Sequence, residues 1–433
     1  MNKRRRIRAL PALIAVLAVI ICALVTGVFA DGEEAAEVTS RFYGTAWSLL
    51  PPVIAIVLAL ITKEVYSSLF VGILAGGLLY SNFGFEGTVL HIFNDGIASV
   101  LSDDYNVGIL IFLVVLGAMV SLMNRAGGSA AFGRWAAKRI KTRVGAQLAT
   151  IVLGVLIFID DYFNCLTVGS VMRPVTDKHG VSRAKLSYLI DATAAPVCII
   201  APISSWAAAV ASYVEDGQGL TLFIKSIPFN FYAWLTIIMM IGLAVLKIEY
   251  GPMAKFEKNA QAGDLFSGKN PYAGMEDDVP EGKGKVIDLV LPIVVLVFCC
   301  VMGMLYSGAF STGTSWGTFG ILIPITLSVF PLTDPHGVVC VSACMAGAVC
   351  GDHCSPISDT TIMASAGAQC DHVNHVSTQL PYAITCAAVS CVSYIVAGFV
   401  PNAYIALPVA ILLMLGTLVV IKLINKGRVS NDA

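Results

Sequence analysis

The chain has 433 residues, of which 57% are hydrophobic and 13% are charged, and its net charge at pH 7 is −1. A soluble domain carries roughly 25% charged residues, so the composition excludes an ordinary soluble protein. No basic patch suggests a nucleic-acid partner. Several apolar stretches approach the ~18 residues of a membrane-spanning helix, and the sequence therefore predicts an all-α, polytopic membrane protein.

The N-terminal segment has two possible interpretations. A basic stretch is followed by a long apolar stretch and by Val28-Phe29-Ala30, which precede Asp31. This order is typical of a signal peptide, whereas the length of the apolar stretch is typical of an uncleaved anchor. We therefore predict a signal peptide or signal anchor, with a short extracytoplasmic segment, over residues 1–44. In either case the positive-inside rule places the basic stretch in the cytoplasm.

Further basic clusters orient the rest of the chain. Residues 134–143 and 173–185 are rich in Lys and Arg, and 247–285 is a long polar connector. Such segments are typical of the cytoplasmic side. The predicted organisation is therefore a first transporter repeat (45–248), a cytoplasmic linker (249–285), a second repeat (286–424) and a cytoplasmic tail (425–433).

The two predicted halves share a polar pattern. In an alignment of the stretches that begin at residues 160 and 351, Asp161, Asn164, Thr167 and Ser170 fall opposite Asp352, Ser355, Ser358 and Thr361. Each stretch follows an apolar segment that carries no other charge. Duplicated halves with polar, interrupted helices are typical of secondary transporters.

Four acidic residues lie within or at the edges of apolar segments: Asp161, Asp191, Asp352 and Asp359. Between residues 286 and 421 the chain contains no Lys or Arg. An Asp at the centre of a bilayer costs roughly 2.5–3.5 kcal/mol, so such residues are expected to face a cavity, a partner or an ion. We interpret them as candidates for a functional role.

The polar side chains around these residues suit a small hard cation, because carboxylate, hydroxyl and amide oxygens are its preferred ligands. The candidate ion-binding residues are Asp161, Asn164, Thr167, Asp191, Asp352, Ser355, Ser358 and Asp359. We expect Na+ itself at Asp161 and Asp352. The structural alternative is that the hydroxyl and amide side chains cap or bridge helices, as they commonly do in membranes.

Two features predict interrupted helices near these residues. Pro356 disfavours a continuous helix over residues 354–356, although on an unbroken helix Asp352, Ser355 and Asp359 would share one face. The segments "LIDATAAPVCIIAPISSWAAAV" and "STGTSWGTFGILIP" combine hydroxyl residues with proline or glycine. We predict broken helices in both.

The stretches "FIDDYFNCLTVGSVMRPVTD", "YLIDATAAPVCIIAPISSWAA", "TGTSWGTFGILIPI" and "GDHCSPISDTTIMAS" resemble the NhaC family of Na+/H+ antiporters, within the ion transporter superfamily. The resemblance extends over residues 47–423. It implies about 10–12 transmembrane helices in two inverted repeats with discontinuous or re-entrant helices, and a homodimer. It also implies the cytoplasmic membrane as the location, with the lipid bilayer, Na+ and H+ as partners.

The predicted function is exchange of Na+ for H+ through competition at buried aspartates, without an enzymatic reaction and without a cofactor other than the transported ions. The alternative is Na+- or H+-coupled exchange of a small carboxylate, such as malate or lactate, or of an amino acid. An anionic substrate would need a cation or helix N-termini in the core, and the second half offers no Lys or Arg there. An intramembrane aspartyl protease is disfavoured because Val349 stands where a G-x-G-D motif requires glycine.

Overall fold

The computed structural model describes residues 40–42, 45–62, 64–102, 104–212, 214, 218–273, 284–307, 316–331 and 334–431. These residues form helices and connecting loops without a strand, which confirms the predicted all-α fold. Most of the predicted signal segment lies outside the described residues, as does the start of the predicted broken helix at 311–324. The chain divides into two compact units, Met1–Ile111 and Phe112–Ala433.

The first unit contains short apolar helices. They are α1 (Leu50–Thr62), α2 (Val65–Tyr80), α3 (Phe85–Leu90) and α4 (Ser99–Ser102), with a π-helical segment at His91–Ala98 and a short 3-10 turn at Ala46–Leu49. Helices α1 and α2 pack closely because Gly72 lacks a side chain. A Cβ atom at Gly72 would lie 2.8 Å from the Cβ of Ala55. Small residues allow such close approach of helices within membranes.

The second unit holds the remaining helices, and α5 (Asp104–Arg125) crosses the division between the units. The helices that follow are α6 (Gly128–Arg139), α7 (Arg143–Leu156), α8 (Asp161–Lys178), α9 (Arg183–Asp191), α10 (Ala195–Cys198), α11 (Ser205–Ser212), α12 (Gly219–Ser226), α13 (Phe231–Leu246), α14 (Pro252–Gln261), α15 (Ile287–Ser307), α16 (Trp316–Val329), α17 (Pro335–Cys354), α18 (Asp359–Ala368), α19 (His372–Phe399) and α20 (Ala403–Asn431).

Within the described residues, three helices are long and apolar enough to cross a membrane alone: Pro335–Cys354, His372–Phe399 and Ala403–Lys426. Gly219–Phe229 and Phe231–Leu246 add a fourth span if the pair, bent by 44°, counts as one. Large apolar side chains on these helices are exposed, Phe399 at 84% among them, as expected of surfaces that contact lipid. The total of ten to twelve spans and the inversion of the repeats stay predictions.

Both polar stretches interrupt helices, and the second interruption is the one predicted from Pro356. Helix α7 ends at Leu156 and α8 begins at Asp161; α17 ends at Cys354 and α18 begins at Asp359. Both interruptions span four residues. The second interruption places Asp352 and Asp359 on different helices. They therefore do not share one helical face, as they would on an unbroken helix.

The capping pattern changes the correspondence between the two polar stretches. Asp160 is the N-cap of α8 and accepts from the Phe163 amide, while Ser358 is the N-cap of α18. Asp161 and Asp359 are thus each the first residue of the helix that follows the interruption. The helix boundaries set Asp161 against Asp359, whereas the sequence alignment set it against Asp352.

Helices α8 and α18 pack with their backbones in direct contact. Gly169 lies against the backbone of Gly367, and a Cβ atom at either position would overlap the neighbouring helix. Only glycine permits this separation. The contact holds the last turn of α18 against the middle of α8.

The predicted linker (249–285) is in part a folded segment. Glu257 on α14 is buried, forms an ion pair with Arg143, and accepts from the Ser182 amide at 2.7 Å. The Arg183 amide donates to the Leu265 carbonyl at 3.0 Å. The connector therefore packs on the N-terminal turns of α7 and α9.

Candidate ion-binding site

Asp191 is the most enclosed of the candidate carboxylates, with no exposed surface. Its Oδ2 atom accepts from Gln379 Nε2 at 2.7 Å and from Thr361 Oγ1 at 3.1 Å. His375 Nε2 lies 3.2 Å from the same oxygen. Asp191 ends α9, whereas its partners lie on α18 and α19, so this carboxylate connects the first half of the chain to the second.

His353 extends this cluster. Its Nε2 atom lies 3.2 Å from the Asp191 carbonyl oxygen, and its Nδ1 atom lies 3.0 Å from the Tyr232 hydroxyl. Because a carbonyl only accepts, Nε2 carries the proton, and in the neutral imidazole Nδ1 then accepts from Tyr232. Gln379 Nε2 also donates to the His353 carbonyl at 2.9 Å. The two histidines thus contact Asp191 from different helices.

Asp352 joins the same cluster through hydroxyl groups. Its Oδ1 atom accepts from Ser358 Oγ at 3.3 Å, and its carbonyl accepts from Thr361 Oγ1 at 2.9 Å. Thr361 therefore contacts both Asp352 and Asp191. Ser355 faces its own turn instead, where its hydroxyl accepts from the Ile357 amide at 3.3 Å.

Asp161 belongs to a second group of acids. Its carboxylate is 5% exposed, receives a hydrogen bond from Trp206, and lies close enough to Asp160 and Asp359 for the three charges to interact. The Tyr162 hydroxyl donates to Asp359 Oδ2 at 2.6 Å. Since Ser358 and Asp359 are consecutive, the start of α18 connects this acidic group to the Asp191 cluster.

Asn164 stabilises the first interruption. Its Nδ2 atom donates to the carbonyls of Gly154, Ile157 and Thr193 at 2.7, 2.9 and 3.2 Å. The end of α7 would otherwise leave carbonyl groups without partners. The amide nitrogen of Asn164 therefore has a structural role, in agreement with the alternative that such side chains cap or bridge helices. The amide oxygen of Asn164 takes no part in these bonds.

Several buried oxygen atoms lack a hydrogen-bond partner within the described part of the chain: Asp191 Oδ1, Asn164 Oδ1, Thr167 Oγ1 and Gln379 Oε1. Asn164 reaches the backbone two residues beyond Asp191, and Thr167 lies one turn further along α8. An unpartnered buried acceptor costs about 1–3 kcal/mol. A bound cation would satisfy such oxygens, and their chemistry suits Na+.

No group of three or more His, Cys, Asp or Glu side chains among the described residues could hold a metal ion. The oxygen atoms above come from one carboxylate, two amides and one hydroxyl, which are ligand types that a small hard cation prefers. The structure thus brings Asp191, Asp352 and Ser358 into one cluster and Asp161 and Asp359 into another. Binding of Na+ at Asp161 and Asp352 stays a prediction.

Two members of the cluster were not among the predicted site residues. His375 and Gln379 lie one turn apart on α19 and are both fully buried or nearly so. The available signal was this spacing, because two polar side chains at i and i+4 on a helix that continues as an apolar span share one face. Their partner could not be identified, since Asp191 lies 184 residues from His375 along the chain.

The comparisons with known proteins agree with this architecture. Residues 308–399, which include the second interruption, match the model of the Na+/H+ antiporter family. An uncharacterized protein of Haemophilus influenzae is 33% identical in an alignment that covers 83% of this chain and 92% of the relative. The chain belongs to the Na+/H+ antiporter family. It is therefore a membrane transporter of the antiporter type and not an enzyme.

Shorter matches to this antiporter carry functional names. An uncharacterized Na+/H+ antiporter of Haemophilus influenzae is 37% identical over 87 residues, 20% of this chain and 19% of that protein. The malate-2H+/Na+-lactate antiporter of Bacillus subtilis is 29% identical over 110 residues, 25% of this chain and 22% of that protein. No solved structure matches the antiporter significantly.

Proposed function

We propose that this antiporter exchanges Na+ for H+ across the cytoplasmic membrane through competition of the two cations at a buried carboxylate. Asp191 carries the proposal: one of its oxygen atoms is held by Thr361 and Gln379, and the other has no partner within the described residues. Fixed donors orient the carboxylate, and the second oxygen is available to a proton or to Na+.

Competition at one site is sufficient for coupling. When Na+ occupies the oxygen ligands, it neutralises the carboxylate; when Na+ leaves, a proton neutralises it instead. The empty, charged site is unfavourable because a buried charge lacks hydration. Alternating access then exchanges one cation for the other across the membrane.

Asp352 and Asp161 have distinct places in this proposal. Asp352 contributes through its carboxylate, which accepts from Ser358, and through its backbone carbonyl, which accepts from Thr361, a partner of Asp191. Asp161, with Asp160 and Asp359, forms an acidic group at the start of α8 and α18 that attracts cations to the interruptions. We expect Asp161→Asn and Asp352→Asn each to abolish coupled transport while the protein still folds, since neither change alters side-chain volume.

Proteoliposomes with an internal pH-sensitive dye test the function. An imposed Na+ gradient, without any organic solute, should change the internal pH with the wild-type protein. The change should be lost with Asp191→Asn and retained with Asp264→Asn, which alters an exposed carboxyl in the connector. A wild-type response in Asp191→Asn would remove this residue from the site.

A second candidate function is coupled exchange of a small carboxylate. This function is favoured by the similarity to the Bacillus subtilis protein named as a malate and lactate antiporter. We propose a homodimer for both candidate functions. The same vesicles separate the two functions. If the internal pH responds to Na+ only after malate, lactate or an amino acid is added, simple Na+/H+ exchange is wrong.

A further inference from the structure

A cleft of about 1060 Å³ lies in the second unit where the N-terminus of α7 meets the C-terminal parts of α13 and α20. The charged side chains that line it are Arg143, Lys247, Glu249, Lys422 and Lys426, and Gln147 is one of its amide side chains. It is separate from the Asp191 cluster, since none of the residues that contact that carboxylate line the cleft.

The cleft has a surplus of positive charge. Arg143 pairs with Glu257, and the Glu249 carboxylate accepts from Lys185 at 3.0 Å and from Tyr382 at 2.6 Å. Its one acid is therefore already engaged. Within the described residues, no ion pair involves the three remaining cations, Lys247, Lys422 and Lys426.

Two buried polar atoms in the wall have no partner among the described residues. They are Arg143 Nε and Gln147 Oε1, and the Gln147 side chain is 3% exposed. The oxygen and nitrogen of a glutamine amide exchange places by rotation, so Gln147 can present donors to the cleft. Guanidinium and amide donors beside lysines form the donor set that binds a phosphate group.

The cleft also includes the end of a candidate membrane span. Lys422 and Lys426 lie one turn apart at the end of the candidate span Ala403–Lys426. On the same turn Leu423 and Ile424 are 65% and 52% exposed, so apolar side chains that suit acyl chains lie beside the lysines. Basic pockets at the end of transmembrane helices favour acidic lipid headgroups.

We propose that this cleft binds the phosphate group of an anionic ligand, with the headgroup of an acidic phospholipid as its source. Lys422 and Lys426 contact the phosphate from α20, while Arg143 and Gln147 donate to it from α7. The ligand is not a transported ion, because the cleft lies at the ends of the helices and repels Na+. Its binding holds α20 against α7.

Binding of the purified full-length chain to vesicles provides the test. Phosphatidylglycerol vesicles are compared with phosphatidylcholine vesicles, and inorganic phosphate is titrated separately against the protein in detergent. The variant is Lys422→Gln with Lys426→Gln, both at exposed positions. The matched control is Lys255→Gln with Lys258→Gln, which removes two exposed lysines from α14 outside the cleft.

We expect at least tenfold tighter association with phosphatidylglycerol than with phosphatidylcholine, lost in the cleft variant and retained in the control. Thermal stabilisation by inorganic phosphate alone, lost with the same substitutions, would support the site with a soluble anion as its source. An equal loss of binding in both double variants would overturn the proposal. So would the absence of any preference for acidic lipid together with no response to phosphate.

Discussion

Tyr162 and Asp359 connect the first turns of the two helices that follow the interruptions: the Tyr162 hydroxyl donates to Asp359 Oδ2 at 2.6 Å. The two residues are 197 positions apart in the chain, and the bond joins the predicted first repeat to the second. Because Asp161 and Asp359 each begin a helix, this bond also holds these two acids of the same group near each other.

Tyr162→Phe should therefore weaken transport without unfolding the protein. A hydrogen bond to a charged group contributes about 1.5–3 kcal/mol, and phenylalanine retains the packing of the ring. We expect the KM for Na+ to rise at least fivefold in the vesicle assay while the melting temperature changes little. Tyr404→Phe is the control, because Tyr404 is 92% exposed. An unchanged KM in Tyr162→Phe would contradict a role for this bond.

Gln379→Leu tests the donors that hold Asp191. The substitution removes the bond of 2.7 Å to the carboxylate and the bond of 2.9 Å to the His353 carbonyl. With fewer donors to its charged form, Asp191 should retain its proton more readily, so Na+ competes less well. We expect the KM for Na+ to rise about tenfold at neutral pH and to recover as the pH is raised.

A matched control for Gln379→Leu is Gln218→Leu, at an exposed glutamine before α12. Measurement of the KM at several pH values separates positioning of Asp191 from general damage. A reduced rate with an unchanged KM at every pH would show that Gln379 acts only on stability.

The sequence predicted the interruption at Pro356 and the broken segment after Asp191 because their causes are local. Pro356 cannot continue a helix through Cys354, and the segment with Pro196 and Pro202 breaks into α9, α10 and α11. The burial of Asp191 was also anticipated, since charged residues in apolar segments rarely face lipid. Both inferences depend on neighbouring residues only.

The features of the fold and of the site that could not be predicted from the sequence depend on contacts between segments that are distant along the chain. The partners of Asp191 on α18 and α19 lie 170 to 188 residues away. The alignment of the two halves matched side-chain types and so missed the N-caps, which relate Asp161 to Asp359. The polar composition of the connector indicated an exposed linker, yet the buried Glu257 binds it to Arg143.

Glu257→Gln should release this connector. Removal of one partner of a buried ion pair costs roughly 3–5 kcal/mol, and the low end applies here because Arg143 is 27% exposed. We expect a lower melting temperature and faster proteolysis within residues 262–273. Glu86→Gln, at an exposed position on α3, should leave both unchanged. Equal protease resistance of wild type and Glu257→Gln would show that the pair does not hold the connector.

Gly169→Ala tests the contact between α8 and α18. The added methyl group would overlap the backbone of Gly367, so the helices must separate. Overpacking of this kind costs about 1–3 kcal/mol, although alanine by itself favours a helix over glycine. Gly347→Ala on α17 is the matched control, because nothing lies within 4 Å of the Cβ position there. We expect a lower melting temperature and weaker Na+ transport for Gly169→Ala only, measured by thermal denaturation and the vesicle assay. Equal melting temperatures of Gly169→Ala and Gly347→Ala would contradict direct contact between the backbones of α8 and α18.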